Sequence, residues 1–202
     1  MKPYERLAEA AAPDGTVLTL YRHDGAYLLR IDGIELISTR RSQSEIRLAE
    51  LACRGLSAQL SVRVLVGGLG FGFTMRTALE RLGPDALGMV AEIVPEVIAW
   101  NRNPDYALAG AAMLDPRVDI RQADVLALLR EHVGVFDAIM LDVDNGAESL
   151  TTSGNSKLYA DASVQAVGAQ PLRDGEHDLS VRHGREEGGV QPLRPDRETL
   201  GV

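Results

Sequence analysis

Val64-Leu65-Val66-Gly67-Gly68-Leu69-Gly70-Phe71-Gly72 decides the fold: an apolar run passes into a glycine-rich turn, and a helical pattern carrying Met75, Ala78, Leu79 and Leu82 comes next. A short Val/Leu run bounded by glycine reads as a strand buried on both faces. Glycine lets the backbone approach a ligand without a Cβ in the way, and the helix start beyond it offers unpaired N–H donors. Strand, glycine turn and helix together form the opening unit of a nucleoside-binding α/β sheet. The same residues also suit a tight turn with no ligand, and the downstream segments decide between the two.

Beyond this turn, short apolar runs alternate with helical segments, which predicts strands at 62–66, 88–93, 118–121 and 136–142 and helices at 72–82, 95–103 and 124–132. This βαβαβαβ order predicts a mostly parallel sheet covered on both faces. Pro95 fits the first turn of a helix, where its missing N–H has no intrahelical partner. Glu92 ends the second strand, twenty residues beyond Gly72. A carboxylate there can accept hydrogen bonds from both ribose hydroxyls, or stand as a solvated strand end. Asp124 comes after the third strand, placed either to meet an adenine amino group or to cap the next helix. Asp142 ends the fourth in Leu141-Asp142-Val143-Asp144. Open α/β sheets bind ligands at the carboxyl ends of their strands. Gly68, Gly70, Gly72, Glu92, Ile93, Asp124 and Val125 are therefore the candidate cofactor-binding residues, and Asp142 and Asp144 the candidate catalytic pair.

Upstream, residues 16–21, 26–31 and 34–37 read as strands joined at Asp24-Gly25 and Asp32-Gly33, dipeptides that accept the positive φ angles of tight hairpins. Ser42-Gln43-Ser44-Glu45 offers a capping box before Ile46, Leu48, Ala49, Leu51 and Ala52. The expected organisation is a β meander over 1–41, a nucleoside-binding domain over 42–169 and an irregular tail over 170–202. Residues 157–167 could add a helix. The tail has no aromatic residue and few apolar ones, and only Asp178-Leu179-Ser180-Val181 resembles a strand. The C-terminal part of the sheet is thus expected to be incomplete, as in a truncated or frame-shifted chain, and the exposed edge favours a homodimer.

Composition narrows the function classes. With 45% hydrophobic and 25% charged residues the chain suits a soluble globular domain. A net charge of -8 and a pI near 5.0 oppose a surface built to neutralise nucleic-acid phosphates. No membrane span or signal peptide is legible, so a cytoplasmic protein is expected. Cys53 is the single cysteine and lies on an apolar helix face, and the four histidines lack metal-ligand spacing, so no metal is expected.

Over about residues 16–168 the chain resembles the spermidine synthases. The shared segments are Ile31-Asp32-Gly33-Ile34-Glu35-Leu36, the glycine turn, Val90-Ala91-Glu92-Ile93-Val94-Pro95-Glu96-Val97, Asp115-Pro116-Arg117-Val118, the Asp124 segment and Phe136-Asp137-Ala138-Ile139-Met140-Leu141-Asp142. The resemblance implies an α/β fold of the Rossmann-like methyltransferase type behind a small antiparallel β meander. It also implies that Glu92 contacts ribose, Asp124 the adenine end and Asp142 the reacting amine. The implied donor is S-adenosylmethionine or its decarboxylated form, and the implied partner a small-molecule acceptor. Phe71 stands where the family usually has an acid that holds the donor's ammonium. Asp144-Asn145-Gly146 replaces an Asp-Pro loop, and Arg40-Arg41-Ser42-Gln43-Ser44-Glu45 replaces a tyrosine-histidine-glutamate stretch. A catalytically silent protein of this fold and a nicotinamide-dependent oxidoreductase are the competing readings.

Overall fold

The computed structural model of the chain describes residues 3–106, 108–142 and 180–182. The N-terminal sheet is an antiparallel meander of β1 (Glu5–Ala11), β2 (Val17–His23), β3 (Ala26–Ile31) and β4 (Ile34–Ser38), in that spatial order. Both hairpin dipeptides act as the sequence predicts. Asp24 and Gly25 take φ of 49° and 77°, and Asp32 and Gly33 take 47° and 84°. Positive φ at both turn positions matches the twist of the paired strands. The first strand is not expected from sequence, since Ala and Glu dominate it and both are weak strand formers. Its position comes from pairing with β2 in the register Glu9↔Thr19 and Ala10↔Leu18.

α1 (Gln43–Ala52) connects the meander to the main sheet. The capping box expected at its start does not form. Ser42 occupies the N-cap position without a side-chain cap bond, and Glu45 Oε2 accepts from Ser44 Oγ at 2.7 Å instead of reaching back to the backbone. Cys53 closes this helix and is buried, as its apolar setting implies.

The main sheet contains β5 (Arg63–Gly67), β6 (Leu87–Glu92), β7 (Val118–Gln122), β8 (Ala138–Leu141) and β9 (Ser180–Arg182) in the order β7-β6-β5-β8-β9. The first four are mutually parallel, and β9 runs antiparallel to β8. α2 (Phe73–Arg81), α3 (Pro95–Arg102) and α4 (Val125–Glu131) come after β5, β6 and β7. The four strands and three helices expected after residue 62 are all present, with ends shifted by one or two residues. The expected helix at 157–167 and the tail lie outside the described residues, apart from β9, which overlaps the one tail segment that resembles a strand.

Strand alternation divides the core. Val64 and Val66 of β5, Val90 of β6 and Ala138 and Met140 of β8 face a cluster that takes in α2, α3, Leu48 and Ala49 of α1, and Leu18, Leu20, Leu29 and Ile31 of the meander. Leu65, Met89, Ala91 and Ile139 face the other way, onto Val125, Leu126 and Leu128 of α4. Residues two apart in a strand share a face, so these short strands serve both clusters at once. Among the described residues no helix is long and apolar enough to cross a membrane.

Arg117 ties the amino end of the sheet together. Its guanidinium donates to both carboxylate oxygens of Asp115, at 3.0 and 2.8 Å, and to the carbonyls of Leu79 and Gly83 at 3.2 Å each. The pairing holds the Asp115 carboxyl below its ordinary value of 3.8. Because that pKa is depressed by folding, the stabilisation is present above the unfolded value and is lost as pH falls through the folded one. Arg117→Ala is expected to cost about 2 kcal/mol near neutrality, since charged hydrogen bonds to the end of α2 are lost. Chemical denaturation at several pH values checks this: the difference from the parent protein should shrink below pH 3.8.

Candidate functional site

In the order β7-β6-β5-β8 the chain runs outward from β5 to β7 and then returns to the opposite side of β5 as β8. The switch point therefore lies between β5 and β8, at their carboxyl ends, where an open α/β sheet leaves a crevice. The glycine turn begins at this point. Gly68, Gly70 and Gly72 have φ of 92°, 49° and 74°, all in the left-handed region that side chains disfavour.

Two of these glycines also answer to packing. A Cβ on Gly70 would lie 2.8 Å from Ile37 Cδ1, and one on Gly72 would lie 2.6 Å from Ala109 Cβ and 3.0 Å from Ala109 Cα. The turn is thus clasped between the meander and the loop before the 3-10 helix Gly110–Leu114. Their missing side chains admit neighbouring protein, an explanation that needs no ligand on the Cβ side.

Glu92 is the central polar group. It is only 8% exposed, and its two oxygens accept from different segments: Oε2 from Leu69 N of the glycine turn at 3.0 Å, and Oε1 from Val94 N ahead of α3 at 2.9 Å. Burial pushes its pKa above the ordinary 4.5, against the opposing pull of the Val94, Leu69, Ile93 and Gly70 amides. Leu69 and Val94 thus take one acceptor site on each oxygen, and the Ile93 and Gly70 amides face the same carboxylate.

Ile93, the next residue, is 37% exposed in the midst of a buried segment. Ala123 N donates to Glu92 O at 3.0 Å, which sets the Glu92–Ile93 and Ala123–Asp124 turns side by side. Asp124 caps α4, accepting from Leu126 N at 2.9 Å, so of its two expected roles the capping one is present. Val125 is buried, and its Cγ2 would meet a Cβ on Gly67 at 2.9 Å.

At the switch point itself, Asp142 N donates to Gly67 O at 2.7 Å, and Asp142 Oδ2 accepts from Thr74 Oγ1 at 2.6 Å. Thr74 is 2% exposed on the first turn of α2, so Asp142 is joined to the helix N-terminus, where a negative charge is favoured. Asp144 lies outside the described residues. Phe71 is buried in the core beside Leu69 and Phe73 and offers the crevice no charge.

Sequence reasoning alone misses Thr74 and Asn101. Asn101, buried within α3, donates through Nδ2 to Gly70 O at 2.8 Å and to Val97 O at 2.9 Å. The one signal in the sequence is a polar asparagine beside Trp100 in the last turn of α3.

No protein-family model and no curated protein sequence matches the chain. Solved structures do match it. A spermidine synthase in complex with the transition-state analogue AdoDATO superposes with a TM-score of 0.61 at 20% identity, covering 80% of this chain and 51% of that one. The spermidine synthase from Thermotoga maritima gives 0.57 at 20% identity, covering 68% and 47%. A probable spermidine synthase from Corynebacterium glutamicum gives 0.51 at 19% identity, covering 73% and 54%. The chain thus spans about half the length of the structures it matches.

The fold is a Rossmann-like α/β sheet whose strand order reverses between β5 and β8. Among known structures the fold is spermidine synthase-like.

The raised pKa of Glu92 has a defined sign. The folded state holds this proton more tightly than the unfolded chain, so the carboxyl's contribution is fullest below 4.5 and declines as pH rises through the folded value. Replacing it by Glu92→Gln removes the titration and presents an amide N–H to one of the two backbone donors. The parent protein's stability advantage over Glu92→Gln should therefore be largest at acid pH and shrink towards neutrality, as read by thermal unfolding from about pH 4 to about pH 8.

Proposed function

We propose that the chain is a spermidine synthase-like transferase that binds an S-adenosyl donor at the carboxyl ends of β5, β6 and β7 and passes a methyl or aminopropyl group to a small acceptor, in the first instance an amine. The observation that carries this reading is the placement of Glu92: a buried carboxylate, anchored by the glycine turn and by the start of α3, next to the exposed Ile93. A ribose fits these groups, with its two hydroxyls donating to Glu92 while Ile93 gives the adenine an apolar surface and Asp124 marks the end of that surface. The likeness to a spermidine synthase seen with AdoDATO supports the same class of donor.

A sulfonium donor supplies a carbon whose bond to sulfur breaks as the acceptor's lone pair attacks it, the bonding electrons leaving with sulfur as a neutral thioether. The protein's contribution is chiefly orientation, worth on the order of 7–11 kcal/mol when two reactants are well aligned. Asp142, fixed through Thr74, orients the acceptor amine and takes up the proton that the amine gives up. Glu92 holds the nucleoside and exchanges no proton with the reacting atoms. Phe71 offers no carboxylate to an ammonium group, which favours a donor that retains its own carboxylate, such as S-adenosylmethionine. The same substitution favours, as a second reading, a protein that binds the nucleoside and transfers nothing.

Thermal unfolding with S-adenosylmethionine, decarboxylated S-adenosylmethionine, methylthioadenosine and NAD in parallel tests the proposal. A ligand at about 100 times its Kd should stabilise the fold by about 2.7 kcal/mol, a readily measured midpoint shift. A shift with the adenosyl thioethers and sulfonium compounds, and none with NAD, is the expected result. Turnover of labelled donor then separates the transferase from the silent binder. A response to NAD alone would replace this assignment with the oxidoreductase, and no response from a cooperatively folded sample would remove the nucleoside site.

A further inference from the structure

We infer that Asn101 is a positioning residue for the nucleoside site, acting through the glycine turn; this rests on the nucleoside-binding reading above. Asn101 is 5% exposed, and its amide nitrogen donates to two carbonyls, one on its own helix at Val97 and the other in the glycine turn at Gly70. The opposite amide orientation would set Oδ1 against those two carbonyl oxygens, so the bonding fixes the side chain one way round. In that orientation Oδ1 is buried and has no hydrogen-bond partner among the described residues. A buried acceptor left unpaired costs stability, and a residue chosen for packing alone at this position would carry no such atom.

What the amide secures is the carbonyl of Gly70, a residue whose own N–H faces Glu92. Gly68 N donates to Ala91 O at 2.8 Å, Leu69 N to Glu92 at 3.0 Å and Gly72 N to Leu69 O at 2.7 Å. The Gly70 carbonyl lies between these points, at a residue with φ of 49°, and Asn101 is the side chain that donates to it. Glu92 therefore holds the turn by its amides and Asn101 by its carbonyl, and both belong to the β6–α3 segment. The amide edge of the turn, which faces a bound nucleoside, is aligned by these two residues together.

The inference predicts that removing the amide loosens the turn without unfolding the domain. Asn101→Ala and Asn101→Asp are the variants, each compared with the parent protein. Hydrogen exchange of the unliganded proteins should show faster exchange in the 68–73 turn and unchanged exchange in β5 and β6, with unfolding midpoints within about 4 °C of the parent. Affinity for methylthioadenosine should fall on the order of tenfold in Asn101→Ala. Asn101→Asp supplies a readout that a packing role would not move. Its neutral carboxyl can donate to Gly70 O, whereas its ionised form cannot, so affinity should recover as pH is lowered from about 8 to about 5 in this variant, relative to the parent and to Asn101→Ala measured at the same pH. Unchanged turn exchange, or loss of cooperative folding in both variants, would overturn the inference and leave Asn101 as a core residue. If the parent protein binds no adenosyl compound, the proposed function fails separately, and the exchange data alone decide the role of Asn101.

Discussion

The rest of the crevice depends on one buried carboxylate. Glu92 sits at the end of an apolar strand, and the transfer of an ionised group from water into such surroundings is expensive unless hydrogen bonds replace the lost solvent. Here backbone amides replace it, two of them in direct bonds from Leu69 and Val94. The dependence is mutual. Without the acid, two N–H groups at the crevice would be orphaned, and without those amides the carboxyl could not stay in the fold as an anion. The glycine turn and the start of α3 are therefore joined through this one side chain.

A second electrostatic constraint comes from the topology. Parallel strands with helical crossovers bring the N-termini of α2, α3 and α4 to the same edge, each carrying the positive end of a helix dipole. Glu92, Asp124 and Asp142 gather at that edge as well. Asp124 caps α4 directly, Asp142 reaches α2 through Thr74, and Glu92 accepts from the N-cap residue of α3. Each acid is thus matched to one helix. This explains how three carboxylates can share one edge, and why the chain places acids in strand-end positions that otherwise look like solvated surface.

The parts of this arrangement that are legible in the sequence are those in which one residue type has few alternatives. Asp-Gly pairs take positive φ, a glycine run after Val64-Leu65-Val66 marks a strand-to-helix turn, and Pro95 marks a helix start; each of these features is present in the fold. β1 is hidden because its Ala and Glu residues owe their extended form to the neighbouring strand, a tertiary effect with no local signature. The Ser42 capping box fails for the converse reason: the spacing is right, but Ser44 offers Glu45 a nearer partner. In the site, the strand-end acids can be found by position, whereas Thr74 and Asn101 cannot, because their partners lie 68 and 31 residues away in sequence. Val125 illustrates the limit from the other side. Its neighbour Asp124 is less buried, but the first turn of α4 rotates Val125 into the core against Gly67, and only the helix register reveals this.

One side of the crevice is built wholly between Arg63 and Glu131, from β5, β6, β7 and the three helices that come after them, and the hydrogen bonds from Leu69, Val94 and Asn101 that fix Glu92 and the glycine turn all lie within that span. The opposite side begins at Asp142, whose position is set by β5 and by Thr74. The β5–β7 side of the crevice is thus held by bonds within a single stretch of chain, and Asp142 joins it from the β8 side through Gly67 and Thr74.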